Sequence, residues 1–441
     1  MIFSMYTDFF SILYLHAKTT LRSWAGLLVP VALVTAMVLG FTSVPTASAS
    51  GAVTGWTLER LVIKTITNNP QVLTQRYTAA AAKAGVSEAK WQFFPAPTLE
   101  AEAWDDNRLL EFEIRQPLYA GGRLFAGLKL AQLQHAKAQL SIHEVRYSLA
   151  LKVINTYEIL LRASRGRDVY ESSLQHLAYL GSLTQRRIEA GISGKGDYNL
   201  VISRIGQVHD KVNRMKESER SAAVAMSQLV GEHVSLKQIV TVDDRTHYTF
   251  RVGDVIRRCL DYHPGLRLAA AEIEIVKAQA IQAQKAIFPT LFVSWESTKG
   301  NGPEAEESSA ERYYLGLSSA LGGGLSALSK VRSAKAKENA ARGQYSFIRR
   351  NILTTVSSEM ETYRSTKDIV TVLRASAAIQ KELFESYQRM FLAGKRTWLE
   401  LLNAVQERTN IEYSLAEAEV KLLIAAYRLR LQTGELAWLK I

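Results

Sequence analysis

The sequence predicts a mainly α-helical protein with a small β part, built by duplication of one unit. The 441 residues include nine prolines, none of which lies in 118–263 or 304–441. Because proline interrupts helices, two proline-free blocks of this size indicate long helices. Segments near 99–115 and 291–318 instead alternate apolar and polar residues, as strands do. Sequence markers also recur about 200 residues apart, which indicates the duplication.

Composition excludes several classes of protein. The only cysteine is Cys259, so no disulfide can form within the chain. Hydrophobic residues make up 47% and charged residues 22%, which argues against a disordered chain. The formal net charge is +12, but the basic residues are spread along the sequence, whereas nucleic-acid binding needs a basic patch on one face. We therefore expect no nucleic-acid partner.

Residues 1–49 have the pattern of a signal peptide. Lys18 and Arg22 precede an apolar run over 25–41, which is followed by Ala47-Ser48-Ala49. A basic segment, an apolar segment and a small-residue cleavage site define a secretory signal. The apolar run is at the lower length limit for a membrane helix, so a retained anchor is the alternative. The next residue is a serine, so the cleavage site encodes no lipid-modified cysteine.

Five markers recur in the same order in two halves of the chain. The spacing drifts only from 194 to 203 residues, which a chance match would not give. The pairs are Asn69-Pro70 with His263-Pro264, Phe94-Pro95 with Phe288-Pro289, Gly121-Gly122 with Gly322-Gly323, Ala190-Gly191 with Ala393-Gly394, and Gly231-Glu232 with Gly434-Glu435. We therefore expect a first repeat at 50–232, a connector at 233–250, a second repeat at 251–436 and a tail at 437–441.

Each half is predicted to contain a helix that breaks at a proline, two strands and two long helices. In the first half, the helix begins at Thr57 and breaks near Asn69-Pro70, after which helix continues to about Phe94. A long helix follows Gly121-Gly122 and ends at Glu189. Asp197 is then expected to cap a helix that runs to Val230.

The second half is predicted to repeat this plan, with long helices over 325–392 and 397–432. Apolar residues recur every seven positions in the first of these, which is typical of helices packed as in a coiled coil. They are Val356, Tyr363, Val370, Ala377, Phe384 and Phe391. Lys367 and Arg374 lie at the second core position of the heptads, where a two-stranded coiled coil would have apolar residues. This favours a helix that packs on more than one side or that faces an aqueous lumen.

Four short segments alternate with period two and are predicted strands with one apolar and one polar face. The alternation allows either a sheet that covers a core or a transmembrane β-barrel with its apolar face towards lipid. Four strands cannot close a barrel, so the membrane alternative requires an oligomer. The polar segment 298–310 would suit an external loop, and 105–108 a short link. Polar-face residues, which would face the lumen of a barrel, are Glu100, Glu102, Glu111, Glu113, Arg115 and Glu296.

Over about 56–436 the sequence resembles the TolC family of outer-membrane channel-tunnel proteins. The resemblance depends on several motifs that occur in the family's order. They are Asn68-Asn69-Pro70 at the helix break, Gln116-Pro117-Leu118-Tyr119-Ala120-Gly121-Gly122-Arg123 at the junction from strand to helix, Arg187-Ile188-Glu189-Ala190-Gly191 and Phe391-Leu392-Ala393-Gly394-Lys395-Arg396-Thr397 at two helix turns, and Leu431-Gln432-Thr433-Gly434-Glu435-Leu436 near the end.

The resemblance implies a homotrimer in which each protomer contributes four strands to a 12-stranded barrel in the outer membrane of a Gram-negative bacterium. The long helices would form an α-barrel tunnel across the periplasm, with 57–70 and 233–250 in an equatorial belt. The tunnel would pass substrate from an inner-membrane pump and its periplasmic adaptor to the outside. The implied protein is a channel in contact with outer-membrane lipid, without catalytic residues, cofactor or metal.

The resemblance also assigns roles to the two helix turns. In the family, the second turn constricts the periplasmic entrance, and the matching gate positions are Phe391, Arg396, Glu400 and Asn403. Asn403 replaces an expected aspartate and Phe391 an expected tyrosine, so a ring of three carboxylates, not six, would line the entrance. Alternatively, Arg396 and Glu400 form an ordinary helix-surface pair. The expected adaptor contacts are Ala190, Gly191, Asp197, Ala393, Gly394, Lys395 and Thr397.

Three functions remain open at this point. The segment 322–327, which reads Gly-Gly-Gly-Leu-Ser-Ala and follows Ala320 where a proline is expected, resembles the junction in channels for type I secretion of large adhesins. This favours an inner-membrane ABC transporter as the pump. The first alternative is the outer-membrane factor of an RND-type drug or metal efflux pump. The second is a helical periplasmic scaffold or adaptor, against which the paired amphipathic strands argue.

Overall fold

The computed structural model describes residues 55–104, 107–235, 248–301, 307–319 and 326–436. The predicted signal peptide (1–49), most of the connector, the glycine junction at 320–325 and the tail (437–441) lie outside the described residues.

Each half of the chain contains two helices, two strands and two long helices, in the same order. The first half contains α1 (Leu58–Asn68), α2 (Pro70–Trp91), β1 (Ala96–Trp104), β2 (Asn107–Tyr119), α3 (Arg123–Glu189) and α4 (Lys195–Val230). The second half contains α5 (Val252–Tyr262), α6 (Pro264–Lys285), β3 (Thr290–Asn301), β4 (Glu307–Ser318), α7 (Ser326–Leu392) and α8 (Trp398–Thr433).

The helices of the two halves have equal lengths, which confirms the duplication. α1 and α5 each have 11 residues, α2 and α6 have 22, α3 and α7 have 67, and α4 and α8 have 36. The offset is 194 between Leu58 and Val252 (252 − 58) and 203 between Arg123 and Ser326 (326 − 123). The nine additional residues of the second half therefore lie between α6 and α7, in and around its strand pair.

The predicted helix breaks are confirmed, and each is capped by a side chain. The Asn69 side chain accepts a hydrogen bond from the Gln71 N–H, and Pro70 occupies the first turn of α2. His263 caps α6 in the same way by accepting from the Gly265 N–H. Proline is well placed here, since the first N–H groups of a helix have no partner within it.

The predicted cap of α4 is wrong. The helix begins at Lys195 with Gly194 at its N-cap, three residues before the predicted N-cap Asp197. Gly194 has φ −82° and ψ 156°, an extended conformation that any residue can adopt. Asp197 instead lies in the first turn, where its carboxylate interacts favourably with the positive end of the helix dipole.

The predicted external loop at 298–310 is also too long. β3 continues to Asn301 and β4 begins at Glu307, and these two residues are partners in the antiparallel register. Likewise, β2 begins at Asn107, so only 105–106 separates it from β1. The polar segments pair because the strands are held by backbone hydrogen bonds, which do not require apolar side chains.

Helix α3 lies at the centre of the helical packing. It packs against α2 and α6 along one part of its length and against α4 and α8 along the other, while α7 packs on α6 and α8. The predicted seven-residue seam of α7 is buried at Val356, Tyr363, Val370, Phe384 and Phe391, and Ala377 is half-buried. α3 and α7 each extend for about 100 Å at 1.5 Å per residue.

The four strands form one antiparallel sheet in the order β1-β2-β3-β4. The central strands β2 and β3 belong to different halves of the chain, so the sheet joins the two repeats. β1 and β4 are its edges among the described residues. The register shifts between Pro117 and Tyr119, where proline cannot donate a ladder hydrogen bond.

Candidate functional site

One face of the sheet carries most of its charged residues. The register places Glu100 opposite Glu111 and Glu113 opposite Glu296, which in turn lies opposite Arg312. Since partners across a ladder share a face and alternate residues along a strand also share it, the structure brings all six predicted lumen residues to one face. They are Glu100, Glu102, Glu111, Glu113, Arg115 and Glu296.

The opposite face is apolar and exposed over the part of the sheet nearest the helices, and carries charged residues such as Arg108 and Lys299 at its far end. Tyr313 is 74% and Leu317 69% exposed, and Leu99 and Leu315 on the same face are similarly open. The rings of Phe112 and Trp295 lie 5.7 Å apart on neighbouring strands of this face. A continuous apolar surface of this kind marks a contact with lipid or with another protein.

A hydrogen-bond network stabilises the polar face at the end of the sheet nearest the helices. Glu113 accepts hydrogen bonds from Arg115 at 2.7 Å, from the Ser294 hydroxyl at 2.5 Å and from the Tyr314 hydroxyl at 3.2 Å. On the adjacent strands, Arg312 donates to both carboxylate oxygens of Glu296, at 2.8 and 2.9 Å. These charges are therefore compensated within one chain.

The two helix turns have the same backbone geometry. We call residues 190–194, between α3 and α4, the first tip, and residues 393–397, between α7 and α8, the second tip. Gly191 has φ 71° and Gly394 φ 73°, a left-handed conformation that favours glycine. Each turn is closed by a hydrogen bond that spans five residues, Ile192 N–H to Arg187 C=O in the first tip and Lys395 N–H to Met390 C=O in the second.

The two tips lie at the same end of the helical part and share a hydrophobic cluster. This cluster includes Leu180 of α3, Val201 of α4, Phe391 of α7, and Trp398 and Leu401 of α8. The predicted adaptor-contact residues are consequently brought together on adjacent turns. Asp197 is half-buried, and the exposed members are Ala190, Gly191, Ala393, Gly394, Lys395 and Thr397.

The predicted gate residues occupy different environments. Phe391 is buried, with its ring 5.4 Å from the ring of Trp398, whereas Asn403 is exposed. Arg396 forms an ion pair with Glu400 four residues later, at 2.5 Å, and its guanidinium lies 4.6 Å from the centre of the Tyr387 ring. The alternative helix-surface pair is therefore present, and Arg396 and Glu400 contact residues of their own hairpin.

Glu400 completes a capping box at the start of α8. Its carboxylate accepts hydrogen bonds from the Thr397 N–H and hydroxyl, both at 2.8 Å, while the Glu400 N–H donates to the Thr397 hydroxyl. The hydrogen bonds from Thr397, together with the one from Arg396, lower the pKa of Glu400 to about 2. The same ion pair raises the pKa of Arg396. Both groups are therefore charged at neutral pH.

The sequence places Arg187 in the motif at the first helix turn but does not indicate its contact with the other hairpin. Its guanidinium lies 4.9 Å from the centre of the Phe391 ring, and its Nε donates to the Ser193 hydroxyl at 3.3 Å. Arg187 thus links the α3–α4 hairpin to the α7–α8 hairpin through a cation–π contact. No pattern in the sequence indicates a contact between residues so far apart in the chain.

The parts of the chain that the structure describes show no metal-binding cluster or reactive thiol that would indicate another kind of site. They hold no group of three or more His, Cys, Asp or Glu residues that could bind a metal ion. Cys259 is buried, and burial raises the pKa of its thiol to about 11. None of the described helices has an apolar stretch long enough to cross a membrane.

Solved structures with the same fold are outer-membrane channels. The outer-membrane channel OprN is 20% identical, with a TM-score of 0.76 over 86% of this chain and 90% of OprN. The outer membrane protein VceC of Vibrio cholerae is 16% identical, with a TM-score of 0.73 over 86% of this chain and 96% of VceC. The open state of the Neisseria gonorrhoeae MtrE outer membrane channel is 13% identical, with a TM-score of 0.70 over 86% of this chain and 88% of MtrE. At these identities the likeness shows the fold. No curated protein matches the chain.

A sequence profile extends the comparison to family membership. The profile of the family described as outer membrane efflux protein matches residues 61–232 and 255–435, which together make up most of the chain. The two segments begin 194 residues apart (255 − 61) and end 203 apart (435 − 232), the offsets that relate the two repeats. The chain therefore belongs to the outer membrane efflux protein family and is a non-enzymatic channel of the outer membrane that extends into the periplasm.

Proposed function

We propose that three copies of this chain form one 12-stranded barrel in the outer membrane. The observation that carries this proposal is the incomplete sheet, whose strands β1 and β4 are open edges among the described residues and whose apolar face is exposed. Open edges pair with further strands, and closure into a barrel removes them. Three sheets of four strands give a barrel with its apolar face towards lipid.

In this arrangement the polar face of the sheet lines the lumen. The glutamates and Arg115 that share this face would be hydrated in the duct, as charged side chains in the lumens of membrane barrels are. The lumen residues would be Glu100, Glu102, Glu111, Glu113, Arg115 and Glu296.

The long helices would continue the duct as a closed α-barrel. Within one chain the packed helices end at α7 on one side and at α2 and α4 on the other. Both edges carry exposed apolar side chains, such as Val372 and Ile379 of α7 and Ile202 and Val224 of α4. We propose that the α7 edge of one protomer packs against the α2–α4 edge of the next, with 233–250 as part of an equatorial belt.

Family members act as trimers with periplasmic adaptors and inner-membrane pumps. We propose that the two tips are the end of this trimer that an adaptor contacts, because they are adjacent, largely exposed and remote from the sheet. Phe391, Arg396, Glu400 and Asn403 would control the entrance there. The pump would supply the energy for transport.

We favour type I protein secretion, with an ABC transporter as the pump. Support comes from the glycine-rich segment 322–327 and the absence of proline at 320, most of which lies outside the described residues. The second candidate is the outer-membrane factor of an RND-type drug or metal efflux pump, which the description of the family as efflux proteins supports.

Photo-crosslinking from the second tip in the native cell tests these proposals. A photoreactive amino acid at the exposed Lys395 should crosslink to a periplasmic adaptor, and the complex should co-purify with an inner-membrane ATPase. Recovery of a proton-driven pump instead would favour the second candidate. The matched control places the crosslinker at exposed Leu315 on the apolar sheet face, which should yield no adaptor.

Membrane fractionation tests the channel itself. The protein should appear in the outer-membrane fraction as a trimer that migrates as a monomer only after heating. A soluble periplasmic monomer would contradict the proposal and favour the helical scaffold.

A further inference from the structure

We propose that Gly316 is a positioning residue that keeps the bore of the barrel wide by allowing the Phe292 ring to lie flat against the wall. This inference rests on the proposed function, because it takes the polar face of the sheet as the wall of the bore. Phe292 is an aromatic residue on that mainly polar face, and the sequence pattern assigns it no role.

The Phe292 ring occupies the space that a side chain at 316 would fill. The two residues are direct partners across strands β3 and β4. A Cβ atom added to Gly316 would lie 2.3, 2.7 and 2.9 Å from three carbons of the ring. Carbon atoms in contact normally stay about 3.5–4.0 Å apart, so even an alanine requires the ring to move.

Polar neighbours hold the ring in this position from its other side. The guanidinium of Arg115 lies 4.5 Å from the ring centre, and the ring of Tyr314 meets it edge-on at 6.2 Å. Glu113 in turn holds Arg115 at 2.7 Å. Phe292 is consequently only 8% exposed, although it lies on the polar face of an open sheet. The ring is therefore packed between Gly316 and Arg115.

The location of this cluster gives it a consequence for transport. Phe292 is the third residue of β3, and Gly316 is two residues before the end of β4, so both lie where the sheet meets the helices. In three copies, three Phe292 rings would surround the passage from the tunnel into the barrel. A side chain at 316 would push each ring off the wall and towards the axis, because the backbone of β4 blocks movement in the other direction.

The competing explanation is purely structural. An aromatic ring that covers a glycine on the neighbouring strand stabilises a sheet regardless of any pore. In that case, loss of the fit would lower the heat stability of the trimer and leave the width of the bore unchanged. The two explanations therefore differ in a size measurement on folded trimers.

The test compares Gly316→Ala, Phe292→Ala and the double variant as purified trimers in planar bilayers. Nonelectrolyte polymers of graded size are added on the barrel side, and the largest polymer that still lowers single-channel conductance gives the cut-off. We expect Gly316→Ala to shift the cut-off to smaller polymers, and the double variant to return it to at least the wild-type size. Ala310→Val adds volume to the same face of β4 at an exposed position and should leave the cut-off unchanged.

The outcomes separate this inference from the proposed function. If wild-type trimers form channels and Gly316→Ala has the wild-type cut-off, or a reduced cut-off that Phe292→Ala does not restore, the inference is overturned and the channel stands. If wild-type protein forms no trimers or channels, the proposed function itself fails. If Gly316→Ala does not assemble, Phe292→Ala alone replaces it. A ring that lies flat against the wall leaves the cut-off nearly unchanged when it is removed, whereas a clearly larger cut-off shows that the ring already narrows the bore and overturns the inference.

Discussion

The two tips have the same backbone conformation but differ in their side chains. Both have a left-handed glycine and the same closing hydrogen bond, yet positions 203 residues apart carry different caps. Thr397 and Glu400 form a capping box at the start of α8, whereas the equivalent Gly194 offers no side-chain hydrogen bond to α4. Duplication has therefore kept the turn, which backbone geometry dictates, while the side chains on it have diverged.

The helices that lead to the two tips also carry different side chains at equivalent positions. α7 approaches the second tip with Phe384, Tyr387 and Phe391, where α3 has Gly181, Thr184 and Ile188. Each of the three aromatic rings has an arginine within 5.4 Å, and the three arginines are Arg408, Arg396 and Arg187. We infer that the second tip is the more firmly held of the two and that its contacts also restrain the first.

The largest effect is expected from removing the ring that both hairpins contact. Phe391→Ala should destabilise the second tip by about 3–5 kcal/mol, since it leaves a cavity among Trp398, Leu401 and the stacked Arg187. Hydrogen exchange of residues 384–402 in purified trimers measures this. Ile188→Ala, at the equivalent half-buried position of α3, is the matched control and should have a clearly smaller effect. Equal effects would mean that the tips are held alike.

The second prediction exchanges the caps. Thr397→Ala removes the hydroxyl that accepts from the Glu400 N–H and should cost about 1 kcal/mol. Gly194→Ser adds such a hydroxyl to the first tip, in an extended conformation that serine adopts freely, and should gain a few tenths of a kcal/mol. Hydrogen exchange of the first backbone amides of α8 and of α4 measures the two changes. Loss of protection at α4 in Gly194→Ser would contradict the prediction.

These differences show how far the sequence could predict the molecule. Helix lengths, breaks and the duplication were predictable, because proline, glycine and the seven-residue period mark them locally. The ends of β3 and β4 were not, since Lys299 to Asn301 pair through the backbone and carry no apolar pattern. The cap of α4 was misassigned to Asp197 because glycine, which lacks a side-chain signal, can also occupy the N-cap.

Of the contacts at the candidate functional sites, some were predictable from the sequence and others were not. The polar face of the sheet was predictable from period-two alternation, and the register places those residues together. The contact of Arg187 with Phe391 and the fit of Phe292 on Gly316 were not, because each joins positions that only the packing of the whole chain brings together.

The third prediction concerns the entrance. Arg396→Ala with Glu400→Gln should raise channel conductance modestly in planar bilayers, since it removes the ion pair and weakens the cap that fix the second tip. The matched pair at the first tip, Ser193→Ala with Asp197→Asn, should change conductance less. Unchanged conductance in the Arg396 and Glu400 variant would remove these residues from the gate and leave them a role in capping alone.

The smallest effect is expected from pH, because it is absent near neutrality. The pKa of Glu400 is lowered from about 4.5 to about 2 by its hydrogen bonds, first with Thr397 and then with Arg396. A carboxyl group whose pKa is lower in the folded state contributes stability above its unfolded pKa and loses it as the pH falls towards the folded one. Protection of the first turn of α8 should therefore decline between pH 4.5 and 2.

Hydrogen exchange at pH 5 and pH 3, corrected for intrinsic rates, measures this decline, and the other helices of the same sample provide the reference. Glu400→Gln, which retains the shape of the side chain but does not ionise, should be less protected at pH 5 and should lose less on acidification. If wild type and Glu400→Gln have the same pH profile, the carboxylate does not hold the second tip, and the difference between the tips must lie in Thr397 and the aromatic residues alone.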